Sequence, residues 1–302
     1  MSEALPAVCA VCRATRWQVT FEGNIRDGAW GSFKPGTVMR CTSCGVERLD
    51  EANCLEDAAY AGTAYRDLLQ QASDLDAQHR LHDSVQGHNL ALVMAHGLRG
   101  KRVLDVGGGA GTFLGYVRGV ARSVTLVEPM PGFREAVSGQ GIQTYASVDG
   151  AVSAGNLFDI VTCFQVIEHV QDPRALLESM QRLVAPSGVL IVTTPNRNDV
   201  LMSLVPEFRS FFFRTVHRWY FDADSLRRLA ETAGLENASV RSLHRQSMAN
   251  AFGWMLERRP VGSAKLESLD VAADLFWKGY LEQRGSADTL VLEVIRPGES
   301  PA

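Results

Sequence analysis

The run Val103-Leu-Asp-Val-Gly-Gly-Gly-Ala-Gly111 constrains this chain more than any other stretch. A short apolar segment ending in crowded glycines reads as a buried parallel strand that runs into a tight turn. Glycine is required where a ligand must come close to the backbone. Spacing decides which ligand. A dinucleotide fold asks for Gly-x-Gly-x-x-Gly, and counting from Gly107 and Gly109 puts Thr112 at the third place. What stands instead is Asp105-x-Gly107-x-Gly109-x-Gly111, and the next apolar run, Ser123–Val127, is closed by the acid Glu128.

Beyond the turn, strand and helix signals alternate. Helices are expected over 112–120, 131–138, 173–184 and 222–233, the last stopped by Gly234 and capped by Asp222 or Asp224. Strands are expected over 124–127, 143–146, 159–164, 188–193, 238–243 and 290–295, seven with the opening one. Alternation at this spacing predicts an α/β fold whose parallel sheet is covered on both faces, with ligands above the carboxyl ends of its strands.

Four cysteines add a second constraint: Cys9-x-x-Cys12 and Cys41-x-x-Cys44. At 302 residues the chain has room for about two domains. Its start lacks the basic residues and apolar core of a signal peptide, and no apolar run is long enough to span a bilayer. A cytoplasmic location follows as the expectation. Thiols stay reduced there, so paired cysteines read first as metal ligands and only second as two disulfides or idle thiols. Four thiolates close a tetrahedral zinc site and leave no open position, so the metal is expected to be structural. The segment between the pairs reads as two short strands, a ribbon-like hairpin clipped by zinc. Cys54 and Cys163 remain as spare thiols. A net charge of -4 argues against a nucleic-acid partner.

The glycine turn with Glu128 resembles the class I S-adenosylmethionine (SAM) dependent methyltransferases. That resemblance implies a seven-stranded Rossmann-like SAM methyltransferase sheet, here with a small N-terminal zinc-ribbon-like module. It also implies that the turn passes under the methionine and ribose of SAM, with Glu128 accepting both ribose hydroxyls. The segment Phe158-Asp-Ile-Val-Thr-Cys-Phe-Gln-Val-Ile-Glu-His-Val170 and the turn Leu183-Val-Ala-Pro-Ser-Gly-Val-Leu190 are similar to ubiquinone-biosynthesis-type O-methyltransferases. In that group the loop after the fourth strand borders the methionine end of SAM and the acceptor, which makes Phe164 and Gln165 cofactor neighbours. Relatives place an acid after the third strand for the adenine amino group; here Ser147 and Val148 come first, and Asp149 is the candidate. Four-cysteine leaders occur in a bacterial subset of such enzymes.

The resemblance divides the chain into a zinc-binding module (1–55), a helical connector covering the cofactor (56–98) and a methyltransferase domain (99–302) with inserts at 196–221 and 244–287. Connector residues Tyr60, Tyr65, Arg66, Arg80, His82 and His88 are candidates to face the acceptor. Direct displacement at the sulfonium methyl needs alignment and exclusion of water, and a base only where the acceptor must lose a proton. His169 and His217 are the candidate bases, with His217 favoured on the acceptor side and Tyr220 as its neighbour. The apolar insert around Phe211–Phe213 reads as a lid, a docked surface helix or, with Arg209, Arg214 and Arg218 flanking it, a peripheral membrane contact. The aromatics of 244–287 read as a sugar or lipid platform or as the core of a helical subdomain. A sugar hydroxyl in surface polysaccharide or natural-product assembly is the expected acceptor. An aromatic or quinone-like hydroxyl and a non-catalytic SAM-binding scaffold are the alternatives. Oligomeric state stays open.

Overall fold

A computed structural model describes residues 8–71, 74–261 and 269–298; residues 262–268 of the second insert lie outside it. The chain forms two compact units. One comprises Met1–Cys54, Thr194–Arg228 and Val240–Val291, the other Leu55–Thr193, Leu229–Ser239 and Leu292–Ala302.

In the first unit, strands β1 (Trp17–Arg26) and β2 (Phe33–Cys41) pair antiparallel from Trp17 opposite Cys41 to Arg26 opposite Phe33. β3 (Glu47–Leu49) adds to β2. Ahead of the second unit's sheet come three helices, α1 (Asp57–Ala61), α2 (Ala64–Leu68) and α3 (Leu75–Met94). The last starts where the Asp74 carboxylate accepts the Ala77 N–H. Then strand and helix alternate: β4 (Arg102–Val106), α4 (Thr112–Val117), β5 (Ser123–Val127), α5 (Pro131–Ser138), β6 (Gln143–Tyr145), α6 (Val148–Ser153), β7 (Phe158–Phe164), α7 (Pro173–Gln181) and β8 (Val184–Pro195). β-branched and leucine side chains of β4, β5, β7 and β8 are buried on both faces, as a doubly covered parallel sheet requires.

The chain returns to the first unit with α8 (Val200–Leu204), α9 (Phe208–Phe212) and β9 (Trp219–Tyr220), and β9 pairs antiparallel with β3. The leader sheet therefore has four strands, ordered β1-β2-β3-β9. Asp222 caps α10 (Ala223–Thr232), its carboxylate accepting the Ser225 N–H while Ser225 Oγ accepts the Asp222 N–H. β10 (Ala238–Leu243), α11 (Met248–Glu257), α12 (Val271–Gln283) and β11 (Thr289–Ile295) follow. Seven strands complete the main sheet in the order β10-β11-β8-β7-β4-β5-β6, mostly parallel, as the resemblance implied.

The phenylalanine insert is core. Leu201, Val205, Phe208, Phe212 and Phe213 are buried against Ile25, Val38 and Leu49 of the leader strands and against Tyr220 and Trp254. Burying each of these large side chains contributes roughly 1.5–3 kcal/mol. Phe212 and Phe213 thus have no face to offer a membrane: the apolar run fills the unit's interior, and the four-cysteine leader shares one core with both inserts. No helix among the described residues is long and apolar enough to cross a membrane.

Candidate functional site

The glycine turn at the end of β4 is built around a buried acid. Asp105 accepts the Thr162 hydroxyl at 2.7 Å, which ties β4 to β7. Burial pushes its carboxyl up to about 7, with the Thr162 bond opposing and the Glu128 charge adding to the rise. Gly108 packs directly over it: a Cβ there would stand 2.3 Å from Asp105 Oδ2 and 2.7 Å from Leu126. Gly107 has φ +74°, and a Cβ would stand 2.5 Å from Val166. Sequence spacing selected Gly107, Gly109 and Gly111 but passed over Gly108. The unbroken triple glycine was the available signal, because a middle residue free to carry a side chain would have no reason to be glycine. Gly111, also left-handed, opens α4.

Glu128 closes the floor of the turn. One carboxylate oxygen accepts the Gly109 N–H at 3.0 Å and the other the Met130 N–H at 2.9 Å. Burial raises its pKa, while the two amides and the charges of Arg66 and Arg134 pull the other way. Arg66 from α2 stands over the same floor. Its guanidinium carbon lies 4.1 Å above the Phe133 ring, Nη1 donates to Gln78 at 3.0 Å, and Nη2 is 3.7 Å from where a Gly109 Cβ would be. Two buried carboxylates and a permissive backbone suit a ligand with a diol and a cationic centre, and each Glu128 oxygen keeps a lone pair beyond its amide bond. These residues fit SAM.

Beside the turn, β7 ends in a strained corner. Phe164 meets Phe113 edge-to-face at 5.2 Å. Gln165 has φ +57°, unusual for a residue with a side chain, and is held by its N–H to Thr193 O at 2.9 Å and its amide to Thr193 Oγ1 at 3.3 Å. The loop beyond carries Glu168, almost fully buried, and His169. His169 Nε2 lies 3.9 Å from a Glu168 oxygen, and Nδ1 lies 3.5 Å from the Tyr60 hydroxyl of α1. Tyr65 of α2 completes an aromatic triangle, 5.0 Å from Tyr60 and 5.8 Å from His169. The structure therefore brings Tyr60, Tyr65 and His169 together, and Arg66 to the cofactor floor.

Arg80 is exposed, and the His82 pKa is lowered by burial and then by the Arg66 charge. Asp149 is exposed in the first turn of α6, where its carboxylate accepts the Ser179 hydroxyl at 3.3 Å, while Ser147 caps that helix. His217, in the first unit, is buried with its ring 6.2 Å from Tyr220. Tyr220 departs from the expectation of a catalytic group. Its buried hydroxyl donates to Arg214 O at 3.0 Å and accepts the Arg214 N–H at 2.9 Å, and burial raises its pKa, so it clamps backbone and stays neutral. Sequence reading passed over His79, whose Nδ1 lies 2.9 Å from Thr112 Oγ1 at the start of α4.

The four cysteines converge. Their sulfurs all lie within 4.8 Å of one another, with Cys9–Cys44 at 3.7 Å and Cys12–Cys41 at 3.5 Å. A tetrahedron with zinc–sulfur bonds of about 2.3 Å has edges of about 3.8 Å, whereas a disulfide needs about 2.05 Å. Both knuckles are built alike: the Arg13 N–H returns to Cys9 O at 2.9 Å, the Gly45 N–H returns to Cys41 O at 2.9 Å, and Arg13 and Gly45 are both left-handed.

A glycine turn floored by acids at the carboxyl ends of parallel strands, in this seven-stranded order, defines a class I SAM-dependent methyltransferase. Residues 58–240 match the family described as "Methyltransferase domain", and the chain belongs to it. Curated relatives include the ubiquinone biosynthesis O-methyltransferase of Cronobacter sakazakii, 30% identical over 173 residues, which are 52% of this chain and 71% of the relative. Its counterpart from Aeromonas salmonicida is 29% identical over 175 residues, with the same coverage. Among solved structures, a SAM-dependent methyltransferase from Archaeoglobus fulgidus is similar at a TM-score of 0.49 and 14% identity, over 71% of this chain and 94% of that one. The protein is a SAM-dependent methyltransferase with O-methyltransferase relatives.

Proposed function

We propose that the enzyme methylates a hydroxyl of a small or glycan-type acceptor, most simply a sugar hydroxyl in polysaccharide or natural-product assembly in the cytoplasm. One observation carries the hydroxyl: a buried Glu168 oxygen lies 3.9 Å from His169 Nε2, and the other ring nitrogen faces a hydroxyl, that of Tyr60, at 3.5 Å. The Glu168 charge beside Nε2 favours the proton there and leaves Nδ1 as the basic atom, and Tyr60 Oη occupies the place of an acceptor O–H.

SAM supplies a methyl group on a cationic sulfur. Asp105, Gly107, Gly109, Gly111 and Glu128 hold the cofactor on this reading, with Phe164 and Gln165 at its methionine end, Arg66 over it and Asp149 toward the adenine. His169 Nδ1 takes the proton of the acceptor hydroxyl, whose oxygen would then receive the methyl group that bound SAM supplies, with neutral sulfide as the leaving group. His217 serves on the acceptor side. Tyr60 and Tyr65 keep water from the methyl. The four cysteines hold a structural zinc ion in a module over 1–55, joined by a helical connector over 56–98 to the methyltransferase domain over 99–302.

The test is transfer of labelled methyl from SAM into fractionated cell extract. Label in an alkali-stable ether on a saccharide fraction supports the reading, whereas label confined to nitrogen or carbon overturns it. A quinone-like acceptor is favoured by the biosynthetic names of the curated relatives, and label in the lipid fraction would select it.

A further inference from the structure

Helix α12 turns one face inward and leaves the other bare. Asp274, Trp277 and Leu281 share the inner face at helical spacing. Leu281 is buried, Trp277 packs against the core that holds Phe208 and Trp254, and the Asp274 carboxylate accepts the Met248 N–H at 2.8 Å. On the outer face stand Val271, Leu275, Phe276 and Tyr280, exposed by 75, 65, 69 and 45%. Phe276 and Tyr280 stack, with ring centroids 6.2 Å apart and planes 22° apart, and the Arg284 guanidinium carbon lies 5.6 Å from the Tyr280 centroid. Four large apolar side chains on one helix face make a patch rather than scattered surface hydrophobics.

The order of residues in this stripe is the same from either end. Val271 and Ala272, large then small, open it; Leu275 and Phe276 form its middle; Gly279 and Tyr280, small then large, close it. A second copy of the helix laid antiparallel, with a two-fold axis between Leu275 and Phe276, sets Val271 against the partner's Tyr280, Ala272 against the partner's Gly279 and Leu275 against the partner's Phe276. Each contact then occurs twice, as an isologous interface demands. Charge agrees with this register. Asp270 caps the start of α12, its carboxylate accepting the Ala273 N–H at 2.8 Å, and Arg284 stands at the end. Antiparallel pairing brings the Arg284 of each copy to the Asp270 end of the other and opposes the two helix dipoles favourably. A membrane surface fits worse, because Asp270, Asp274 and Glu282 outnumber Lys278 and Arg284 along the helix and its caps, a balance that anionic lipid repels.

We propose that α12 is a self-association surface, pairing antiparallel with α12 of a second copy of this chain across the Leu275–Phe276 midpoint. A helix of 13 residues spans about 20 Å. The contact is therefore small, and a dissociation constant in the micromolar range follows. The surface stands whichever acceptor the enzyme methylates.

Sedimentation velocity of the full-length protein, purified without chelators, should show a reversible monomer–dimer equilibrium across the micromolar range. Leu275→Glu and Phe276→Lys, both at exposed positions, should each weaken the dimer at least about tenfold with melting temperature and SAM affinity unchanged. Mixing the two variants should restore it, since the antiparallel register sets the introduced carboxylate of one copy against the introduced ammonium of the other. Variants that had merely lost their fold would not repair one another. A chain that stays monomeric at every concentration overturns the proposal, as does a dimer that both substitutions leave intact or a mixture that associates no better than its parts. Flotation of the wild-type protein with phosphatidylcholine–phosphatidylglycerol vesicles, abolished in Leu275→Glu, would overturn it in favour of a membrane surface.

Discussion

The Gly109 N–H donates to the Glu128 carboxylate across 3.0 Å, so the backbone of the cofactor turn and the proposed ribose acceptor form one hydrogen-bonded unit. Removing the carboxylate therefore costs twice, once in the ligand and once in the shape of the turn. Glu128→Ala should abolish SAM binding with the fold retained. Glu128→Gln, which sets an amide N–H₂ against one of two backbone donors, should weaken binding about 10- to 100-fold. Titration calorimetry checks both, and unchanged affinity in either variant would remove Glu128 from the cofactor site.

The same residue predicts a pH dependence. Burial holds the Glu128 pKa above the ordinary carboxylate value, and the ionised form is the better acceptor for two hydroxyls. SAM affinity should therefore be full at neutral pH and decline on acidification at a pH above that of an exposed glutamate. An affinity that stays flat until ordinary carboxylates titrate would show that the charge plays no part.

Asp105 acts on stability with the opposite sign. Its pKa rises from 3.8 to about 7 in the fold, so across that window the folded chain keeps a proton that the unfolded chain gives up. The contribution is fully present below the unfolded value and lost as pH rises through the folded one. The SAM-free protein should accordingly lose thermal stability from about pH 4 to about pH 7, with other groups superimposed. Asp105→Asn, which still accepts the Thr162 hydroxyl, should flatten that slope. Parallel melting curves for the two proteins would count against this account.

Much of this machinery was legible in the chain because local chemistry and tertiary role coincide there. Gly107 and Glu128 sit at the ends of apolar runs, so spacing along the sequence equals position at the top of the sheet. Cys9, Cys12, Cys41 and Cys44 were equally readable, since Cys-x-x-Cys encodes its own turn. Gly108 escaped because its constraint comes from Asp105 beneath and Leu126 alongside, residues that only the folded sheet brings to it. Tyr220 misled for a related reason. An aromatic hydroxyl near a histidine looks reactive until its partners are known, and those are the amide and carbonyl of Arg214, six residues back. The phenylalanine insert invited a surface reading because its hydrophobic partners, Ile25, Val38 and Leu49, lie far upstream in sequence.

The two cysteine knuckles differ at one equivalent position. Gly45 takes its left-handed turn freely, whereas Arg13 makes the same turn, at φ +64°, with a side chain in place. Left-handed backbone costs a residue with a Cβ roughly 1–2 kcal/mol, offset in part by glycine's greater entropy when unfolded. Arg13→Gly should thus be neutral or stabilise by up to about 1 kcal/mol, and Gly45→Val should destabilise and speed metal loss to a chelator. Metal analysis should give close to one zinc per chain, and removal of the metal should unfold the leader. Less than about half a zinc per chain after chelator-free purification would refute the site.

Substitutions at His169, Glu168 and Tyr60 separate the proposed base from the groups around it. His169→Gln keeps a polar side chain of similar reach but removes the basic nitrogen, so it should lower kcat about 10²- to 10⁴-fold while SAM affinity holds. Glu168→Gln leaves the ring in place but without the charge that fixes its tautomer. Its pH–rate profile should shift to lower pH on the base limb, because imidazolium next to a neutral amide is easier to deprotonate. Tyr60→Phe is the most informative of the three. The phenyl ring preserves the packing against Tyr65, and the loss of the hydroxyl 3.5 Å from Nδ1 removes a competitor for the acceptor's own O–H. KM for the acceptor should then stay level or fall, with kcat within a few fold of wild type. A collapse of kcat in Tyr60→Phe would make the tyrosine itself the proton acceptor or its relay and displace His169 from that role. A wild-type rate in His169→Gln would indicate an acceptor that has no proton to lose before it attacks.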